Sequence, residues 1–171
     1  MAGIRVGFGY DIHPMVEGRR LVLGGVEIPF RLGLNGHSDA DVLLHAVMDA
    51  ILGAAALGDI GQHFPPGDPA YKDASSLALL GRVGDMVSGE GWLVSNLDAT
   101  IVAQEPRLGP FMEAMRHCIG KVLALGSDQV SVKATSPEGI GALGRGEGIS
   151  AHAVAVLAPR GEGGTLDDES G

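Results

Sequence analysis

The segment GYDIHP at residues 9–14 directly follows an apolar run at residues 4–8 that is typical of a β-strand. Asp11 and His13 are two residues apart in this segment, and side chains at positions i and i+2 of a strand point to the same face. A carboxylate and an imidazole at the end of the strand can therefore converge on one point. The pair is a candidate set of metal ligands.

A second segment, GHSDADVLLH at residues 36–45, predicts the start of a helix. Ser38 is a suitable N-cap, and Asp41 three residues later resembles a capping box with Asp in place of Glu. Because residues 42–56 are mostly apolar, we expect this helix to be largely buried, with His45 deep within it. His45 and the two strand residues then offer three nitrogen and oxygen ligands with a fourth position open, as in a catalytic zinc site.

Each half of this pattern also has a purely structural interpretation. An Asp-x-His sequence after a strand is commonly a turn carboxylate beside a hydrogen-bonded histidine. A single histidine in a buried helix is commonly a satisfied core residue. Asp49, one turn after His45, either orients the His45 ring from behind the site or is a simple surface carboxylate, and the sequence favours neither role.

Length and composition limit the class of protein. The 171 residues suffice for one domain with a hydrophobic core and are too few for two ordinary domains. A formal net charge of −9 argues against a nucleic-acid partner. We expect no secretory signal, because the first residues contain neither a basic n-region nor an apolar h-region. We also expect no membrane span, because the longest apolar stretch, residues 42–57, contains a histidine and an aspartate. Cys118 is the single cysteine, which excludes an intrachain disulfide and fits a reducing cytoplasm.

Strands and helices alternate irregularly along the chain, which predicts an α+β fold in one domain over residues 1–158. Gly24-Gly25 suits a tight hairpin and Gly126 a helix end. The last strand carries alanines at 151, 153 and 155 on one face, where another surface can approach closely. The Gly-rich acidic residues 159–171 are expected to be disordered. Strands are predicted at residues 4–8, 21–23, 26–28, 96–103, 129–134 and 149–157, and helices at residues 39–56, 75–87 and 110–125.

Further motifs extend the two opening segments: GAAALGDIG at 53–61, FP at 64–65, KAT at 133–135 and GRGEGI at 144–149. Together they resemble the signature of the 2-C-methyl-D-erythritol 2,4-cyclodiphosphate synthase family, enzymes of the non-mevalonate isoprenoid pathway. The resemblance covers roughly residues 4–158. It implies a mixed sheet with helices on one face, and a homotrimer in which three sheets pack around a central axis.

The resemblance also implies roles for individual residues. It assigns Asp11, His13 and His45 to zinc. It places a substrate phosphate at His37 and Ser38, with His37 steadying the transition state. The ribose and methylerythritol hydroxyls are expected at two loops, and the cytosine at a third loop, largely through backbone groups. The residues of the first two loops are Asp59, Ile60, Gly61, Phe64 and Asp68, and those of the cytosine loop are Ala103, Pro106, Arg107 and Leu108.

The loop after residue 133 is the expected diphosphate site and departs most from the family pattern. Ser136 stands in place of a threonine and keeps the hydroxyl, so it is expected to act in catalysis. Glu138 is the expected ligand of a second divalent ion, Mg2+ or Mn2+, and Ala142 replaces a phenylalanine that lines the trimer axis in many members. The remaining substrate contacts implied here are Ala134, Thr135 and Arg145.

The implied reaction is an intramolecular phosphoryl transfer. The 2-phosphate of 4-diphosphocytidyl-2-C-methyl-D-erythritol 2-phosphate attacks the β-phosphorus of the diphosphate, and CMP leaves. Metal ions and placed cations such as Lys133 and Arg145 are expected to offset the negative charge of chain and substrate. Two alternatives are a zinc-dependent phosphohydrolase, in which water replaces the 2-phosphate, and a non-catalytic metal or nucleotide sensor.

Overall fold

The computed structural model describes residues 3–161, which form one mixed sheet, a separate hairpin and a layer of helices. This arrangement confirms the predicted α+β class. The strands are β1 (Arg5–Val16), β2 (Leu21–Leu23), β3 (Val26–Ile28), β4 (Gly33–Leu34), β5 (Trp92–Val102), β6 (Val130–Thr135) and β7 (Gly148–Pro159). The helices are α1 (Val42–Ala55), α2 (Ile60–His63), α3 (Ser76–Gly89), α4 (Met112–Leu123) and α5 (Gly141–Gly144).

The main sheet has the strand order β4-β1-β7-β5-β6, in which only β5 and β6 are parallel. β1 pairs with β7 from Arg5 opposite Leu157 to Pro14 opposite Gly148. The strand is therefore much longer than the predicted residues 4–8, because β7 continues the backbone ladder past Gly9. Asp11 and His13 consequently lie within a paired strand rather than at its end, and they share a face as predicted.

Glycines allow α1 to lie directly against β1. A Cβ at Gly9 would lie 1.9 Å from the carbonyl oxygen of Ala46, and one at Gly7 would lie 2.0 Å from that of Ala50. Any side chain at either position would push the helix away from the sheet. This close approach brings the first turns of α1, which carry His45, onto the face of β1 that carries Asp11.

The start of α1 differs from the prediction. The N-cap is Asp41, whose side chain accepts a hydrogen bond from the N–H of Leu44 at 3.1 Å. The same carboxylate also accepts the N–H groups of Gly24 and Gly25 in the β2–β3 turn, at 2.9 and 2.7 Å. Ser38 lies outside the helix, because the backbone turns at Ala40 with a φ of 57°.

The alanines of β7 do pack closely, but against their own chain. Ala151, Ala153 and Ala155 are fully buried beneath α1. The opposite face of β1 and β7 instead carries large exposed apolar side chains. These are Ile4, Val6, Phe8, Tyr10, Ile12 and Val154, with Ile4 72% and Phe8 63% exposed.

The remaining boundaries shift by a few residues. A 3-10 turn at Gly109–Phe111 precedes α4, and α4 ends at Ala124 in the left-handed conformation rather than at Gly126. Pro159 is still part of β7, and the N–H of Arg160 donates to the carbonyl of Gly91. The rest of the predicted disordered tail, residues 162–171, lies outside the described residues. Over residues 3–161, no helix has the length and apolar character that a membrane crossing requires.

Candidate metal centre

Three predicted ligand atoms meet between β1 and α1. Oδ2 of Asp11 lies 2.9 Å from Nε2 of His13 and 2.9 Å from Nδ1 of His45. The two ring nitrogens are 3.1 Å apart. The i, i+2 spacing on the strand and the buried histidine on the helix therefore converge as the sequence predicted.

This donor set fits a divalent metal ion, and its chemistry is that of zinc ligands. Zinc prefers nitrogen, sulfur and carboxylate oxygen ligands in tetrahedral geometry, with bonds of about 2.0–2.1 Å to nitrogen. Ligand atoms of such a tetrahedron are about 3.3 Å apart, so the three atoms of Asp11, His13 and His45 need to separate by only a few tenths of an ångström. Two neutral imidazoles and one carboxylate fill three positions and leave the fourth open.

The negative charge of Asp11 favours the binding of a cation at the triad. Burial raises the pKa of Asp11, but its hydrogen bonds to His13 and His45 outweigh burial and hold that pKa well below its usual range. Burial likewise lowers the pKa of His45, but the hydrogen bond and charge of Asp11 raise it above its ordinary value. The carboxylate is therefore ionised near neutral pH, and its charge attracts either a proton or a metal ion to the histidines.

Two serines lie on the other side of the His45 ring. Nε2 of His45 is 3.2 Å from Oγ of Ser38 and 3.2 Å from Oγ of Ser76. Asp49 does not take this position: its Oδ1 accepts the N–H of Ile60 at 2.8 Å and so fixes the start of α2. Burial raises the pKa of Asp49. The idea that Asp49 orients His45 is thus wrong.

The triad opens into a pocket of about 210 Å³. His37 and Ser38 lie at this pocket, as the phosphate site inferred from the resemblance requires, and Nε2 of His37 contacts the carbonyl oxygen of Asp68 at 3.0 Å. Three predicted loop residues also line the pocket: Ile60, Gly61 and Phe64. The lining residues that sequence reasoning missed are Met48, Pro66, Tyr71 and Leu79.

A second pocket, of about 530 Å³, lies between the ends of β5 and β6. It brings together the predicted cytosine loop and the start of the predicted diphosphate loop. Asp11 pairs with Ala151, Ala151 with Ile101, and Ile101 with Ala134, so the two pockets lie at the same end of the sheet. Three strand spacings separate them, or roughly 14 Å. The predicted residues that line the second pocket are Ala103, Pro106, Arg107, Leu108, Ala134, Thr135 and Ser136.

The chain matches a family of known proteins. A family model described as the YgbB family matches residues 4–158. This chain belongs to the YgbB family. The resemblance seen in the sequence motifs, over the same residues, is confirmed.

Relatives within the YgbB family match nearly the whole chain. The 2-C-methyl-D-erythritol 2,4-cyclodiphosphate synthase of Syntrophomonas wolfei is 64% identical over 154 residues, covering 90% of this chain and 98% of that protein. The synthase of the same name from Moorella thermoacetica is 60% identical over 163 residues, covering 95% and 100%. The family membership identifies this chain as an enzyme.

Solved structures share the fold. The bifunctional IspDF of Campylobacter jejuni matches with a TM-score of 0.90 and 42% identity, covering 93% of this chain and 43% of that longer chain. IspF of Plasmodium falciparum, in a CDP complex, matches with a TM-score of 0.81 and 32% identity, covering 94% and 99%. The mixed sheet with helices is therefore the YgbB fold.

Several residues predicted for this YgbB site have their own local partners. The carboxylates of Asp59 and Asp68 each accept backbone N–H groups at the start of a short helical turn. Lys133 pairs with Asp98 at 2.6 Å, and Nε of Arg145 pairs with Glu147 at 2.6 Å. Both cations are thus neutralised within the chain, and neither lines the two pockets. Their expected role in offsetting the charge of the substrate stays a prediction.

A glutamine that the motifs did not single out joins the two loops of the second pocket. Oε1 of Gln104 accepts the N–H of Gly139 at 3.0 Å and lies 3.5 Å from Oγ of Ser136. Ser136 in turn accepts the N–H of Glu138 at 3.0 Å. Glu138 adopts a left-handed backbone conformation, with a φ of 54°, and its side chain is exposed. No ligand pattern in the sequence marks Gln104, because its partners lie 32 and 35 residues away.

Proposed function

We propose that this chain is a 2-C-methyl-D-erythritol 2,4-cyclodiphosphate synthase, a phosphorus–oxygen lyase of the non-mevalonate isoprenoid pathway. Its substrate is 4-diphosphocytidyl-2-C-methyl-D-erythritol 2-phosphate, and its products are the cyclic diphosphate and CMP. The observation that carries this proposal is the convergence of Asp11, His13 and His45 at a pocket that His37 and Ser38 also line. A cytoplasmic location is part of the proposal.

The pocket residues can bind and orient a phosphate. A carbonyl oxygen only accepts hydrogen bonds, so Nε2 of His37 carries a proton and donates it to the carbonyl of Asp68. This bond fixes the His37 ring at the pocket. Ser38 adds a hydroxyl at the same wall, and its Oγ already accepts the N–H of Ala40 at 3.2 Å. His37 and Ser38 would bind a phosphate group of the substrate that becomes part of the cyclic diphosphate.

The substrate supplies its own nucleophile. The oxygen of its 2-phosphate forms a bond to the β-phosphorus, and the bond from that phosphorus to the CMP oxygen breaks. The enzyme must therefore fold a flexible polyanion until two phosphates meet, and such preorganisation contributes about 7–11 kcal/mol in favourable cases. Ser136, at the second pocket, would contact the diphosphate during this step.

Zinc at Asp11, His13 and His45, when bound, would offset phosphate charge and polarise the attacked phosphorus. The exposed carboxylate of Glu138 is the proposed ligand of a second divalent ion, Mg2+ or Mn2+. This carboxylate lies in the same loop as Ser136, whose hydroxyl accepts the backbone N–H of Glu138. The first metal position thus lies on β1 and α1, and the second lies on the loop after β6.

We further propose a homotrimer that assembles through the exposed face of β1 and β7. The apolar side chains of this face, led by Ile4 and Phe8, are the kind of patch that marks a protein interface. In this arrangement the metal pocket of one chain faces the second pocket of its neighbour. Each site is then completed between two subunits. The substrate therefore does not have to span the roughly 14 Å that separates the two pockets of one chain.

Mixing two inactive variants tests the shared site. His45→Ala removes the metal pocket and Glu138→Ala the second-metal ligand, so each variant alone should be nearly inactive. When they are unfolded together and reassembled, some boundaries pair two intact halves, and activity should return. A monomeric mass in light scattering, or no recovery in confirmed mixed trimers, would contradict the shared site.

The activity itself is tested by phosphorus NMR. Protein loaded with zinc and magnesium is incubated with the cytidine diphosphate substrate, and CMP and the cyclic diphosphate should appear together. His37→Ala is the variant control and should form the cyclic product much more slowly. Linear product instead of cyclic product would identify a zinc-dependent phosphohydrolase, and binding without turnover would identify a sensor.

A further inference from the structure

A buried serine and an aspartate lie behind the metal-facing side of His45. Ser76 is fully buried, and its Oγ is 3.2 Å from Nε2 of His45. On its other side the Ser76 hydroxyl donates to Oδ1 of Asp39 at 2.5 Å. The second oxygen of Asp39 accepts the backbone N–H of Ser76 at 2.9 Å. Asp39 lies within the segment at residues 36–45 but has no predicted role there, and Ser76 lies outside every quoted motif.

The direction of each hydrogen bond follows from the donors available. An ionised carboxylate only accepts, so the hydroxyl proton of Ser76 goes to Asp39. The Ser76 oxygen then faces His45 with lone pairs alone, and Nε2 of His45 must be the donor. A neutral imidazole carries a single ring proton. When Nδ1 binds a metal ion, the remaining proton therefore sits on Nε2; without the ion, Nδ1 also carries a proton, which it donates to Asp11 at 2.9 Å.

We propose that Ser76 and Asp39 are positioning residues that hold His45 in the tautomer whose Nδ1 binds the metal ion. The proposal rests on the metal assignment made above. Ligating histidines generally donate their other ring N–H to an acceptor, and loss of that acceptor typically weakens metal binding about 10- to 100-fold. Here the acceptor is a hydroxyl whose own proton is taken by a carboxylate, which makes its oxygen a better acceptor.

The same logic leaves Ser38 free for another task. Its Oγ is also 3.2 Å from Nε2 of His45, and because that nitrogen is the donor, the contact does not use the hydroxyl proton of Ser38. That proton is therefore available to an anion in the pocket. Ser76 thus positions the metal ligand His45, whereas Ser38 offers its hydroxyl proton to the substrate phosphate.

The first test measures zinc affinity by competition with a chromophoric chelator. Ser76→Ala should weaken zinc binding about 10- to 100-fold, whereas Ser76→Thr, which keeps the hydroxyl, should restore most of the affinity. The matched control is Ser75→Ala, because Ser75 is the adjacent N-cap of α3 and its side chain makes no capping hydrogen bond. Its zinc affinity should equal that of the wild type.

The second test reads the tautomer directly. In the wild-type protein, 15N NMR of the His45 ring should show the proton on Nε2 both without and with zinc. The side-chain amide introduced by Asp39→Asn would donate to the Ser76 oxygen, which turns the Ser76 proton toward Nε2 of His45. Asp39→Asn should therefore remove the proton from Nε2, leave a single ring proton on Nδ1, and weaken zinc binding. A merely structural role of Asp39 would leave the tautomer unchanged.

The outcomes separate this proposal from the proposed function. Wild-type protein that binds no zinc would overturn both. Tight zinc binding by the wild type, with Ser76→Ala indistinguishable from Ser75→Ala, would overturn only the positioning role. If Ser76→Ala does not fold, the wild-type ring and Asp39→Asn decide the matter, and a wild-type Nε2 that carries no proton would refute the proposal.

Discussion

Gly9→Ala should damage the metal centre without touching a ligand. The added Cβ would lie 1.9 Å from the carbonyl oxygen of Ala46, which is backbone and belongs to the same helical turn as His45. Restoring an ordinary contact of 3.4 Å requires α1 to retreat by about 1.5 Å. The contact between His45 and Asp11, now 2.9 Å, would lengthen by a similar amount. Metal sites tolerate deviations of only about 0.2 Å in ligand distances.

We therefore expect two effects of Gly9→Ala. Overpacking should lower the free energy of unfolding by about 1–3 kcal/mol, measured by urea denaturation of the metal-free protein. Zinc affinity should fall by at least about tenfold, measured by chelator competition. Gly7→Ala makes the same clash with Ala50, farther from the site. It should destabilise the fold similarly and weaken zinc less.

Gly53→Ala is the matched control, because a Cβ at Gly53 meets nothing within 4 Å. As Gly53 lies in the interior of α1, alanine there should stabilise the helix by about 0.5–1 kcal/mol and leave zinc binding unchanged. Normal zinc affinity and normal stability in Gly9→Ala would refute the idea that the glycine contact sets the position of His45.

Four further outcomes are expected. Elemental analysis should find about one zinc per chain, and stoichiometric zinc retained by the Asp11→Ala, His45→Ala double variant would refute the ligand assignment. Zinc affinity should rise as the pH rises through the pKa of His45, which Asp11 raises above its ordinary value, because a proton on the ring competes with the metal. Calorimetry in buffers of different ionisation enthalpy should detect the proton that zinc binding releases. Asp49→Ala should raise KM and keep zinc, because the loop at Ile60 loses its anchor, while Asp49→Asn, which keeps an oxygen for that N–H, should behave like the wild type. Glu138→Gln should abolish the magnesium requirement or the activity and leave zinc bound; unchanged magnesium dependence would contradict its role.

The metal triad could be predicted because its geometry is mostly local. Two strand residues at i and i+2 share a face whatever the rest of the sheet does, and a histidine in an apolar helix must point into the core. The length of β1 could not be predicted in the same way. Its ladder depends on β7, more than about 130 residues along the chain, and only that partner keeps residues 9–14 extended.

Tertiary contacts also decided the details that the sequence could not give. Ser38 and Asp41 are both good N-caps, and Asp41 is the cap because the amides of Gly24 and Gly25 fix its carboxylate. Ser76 contacts His45 across 31 residues of sequence, and serines at the start of a helix are too common to mark a site. Residues of this kind can be recognised only in a structure that shows the position of the histidine ring they contact.

The two halves of the site therefore differ in how they are built. The metal ligands lie on a strand that pairs with the middle strand of the sheet and on a buried helix, and their contacts with one another are made within one chain. Ser136 and Glu138 lie on an exposed loop whose main internal contact is Gln104. A substrate with several negative charges needs the first half rigid, because the metal must be in place before phosphates approach each other. The second half carries its hydroxyl and carboxylate on exposed residues, which a diphosphate can reach directly. Substitutions at the triad should accordingly abolish metal binding, whereas substitutions at Gln104 should slow turnover while the metal stays bound.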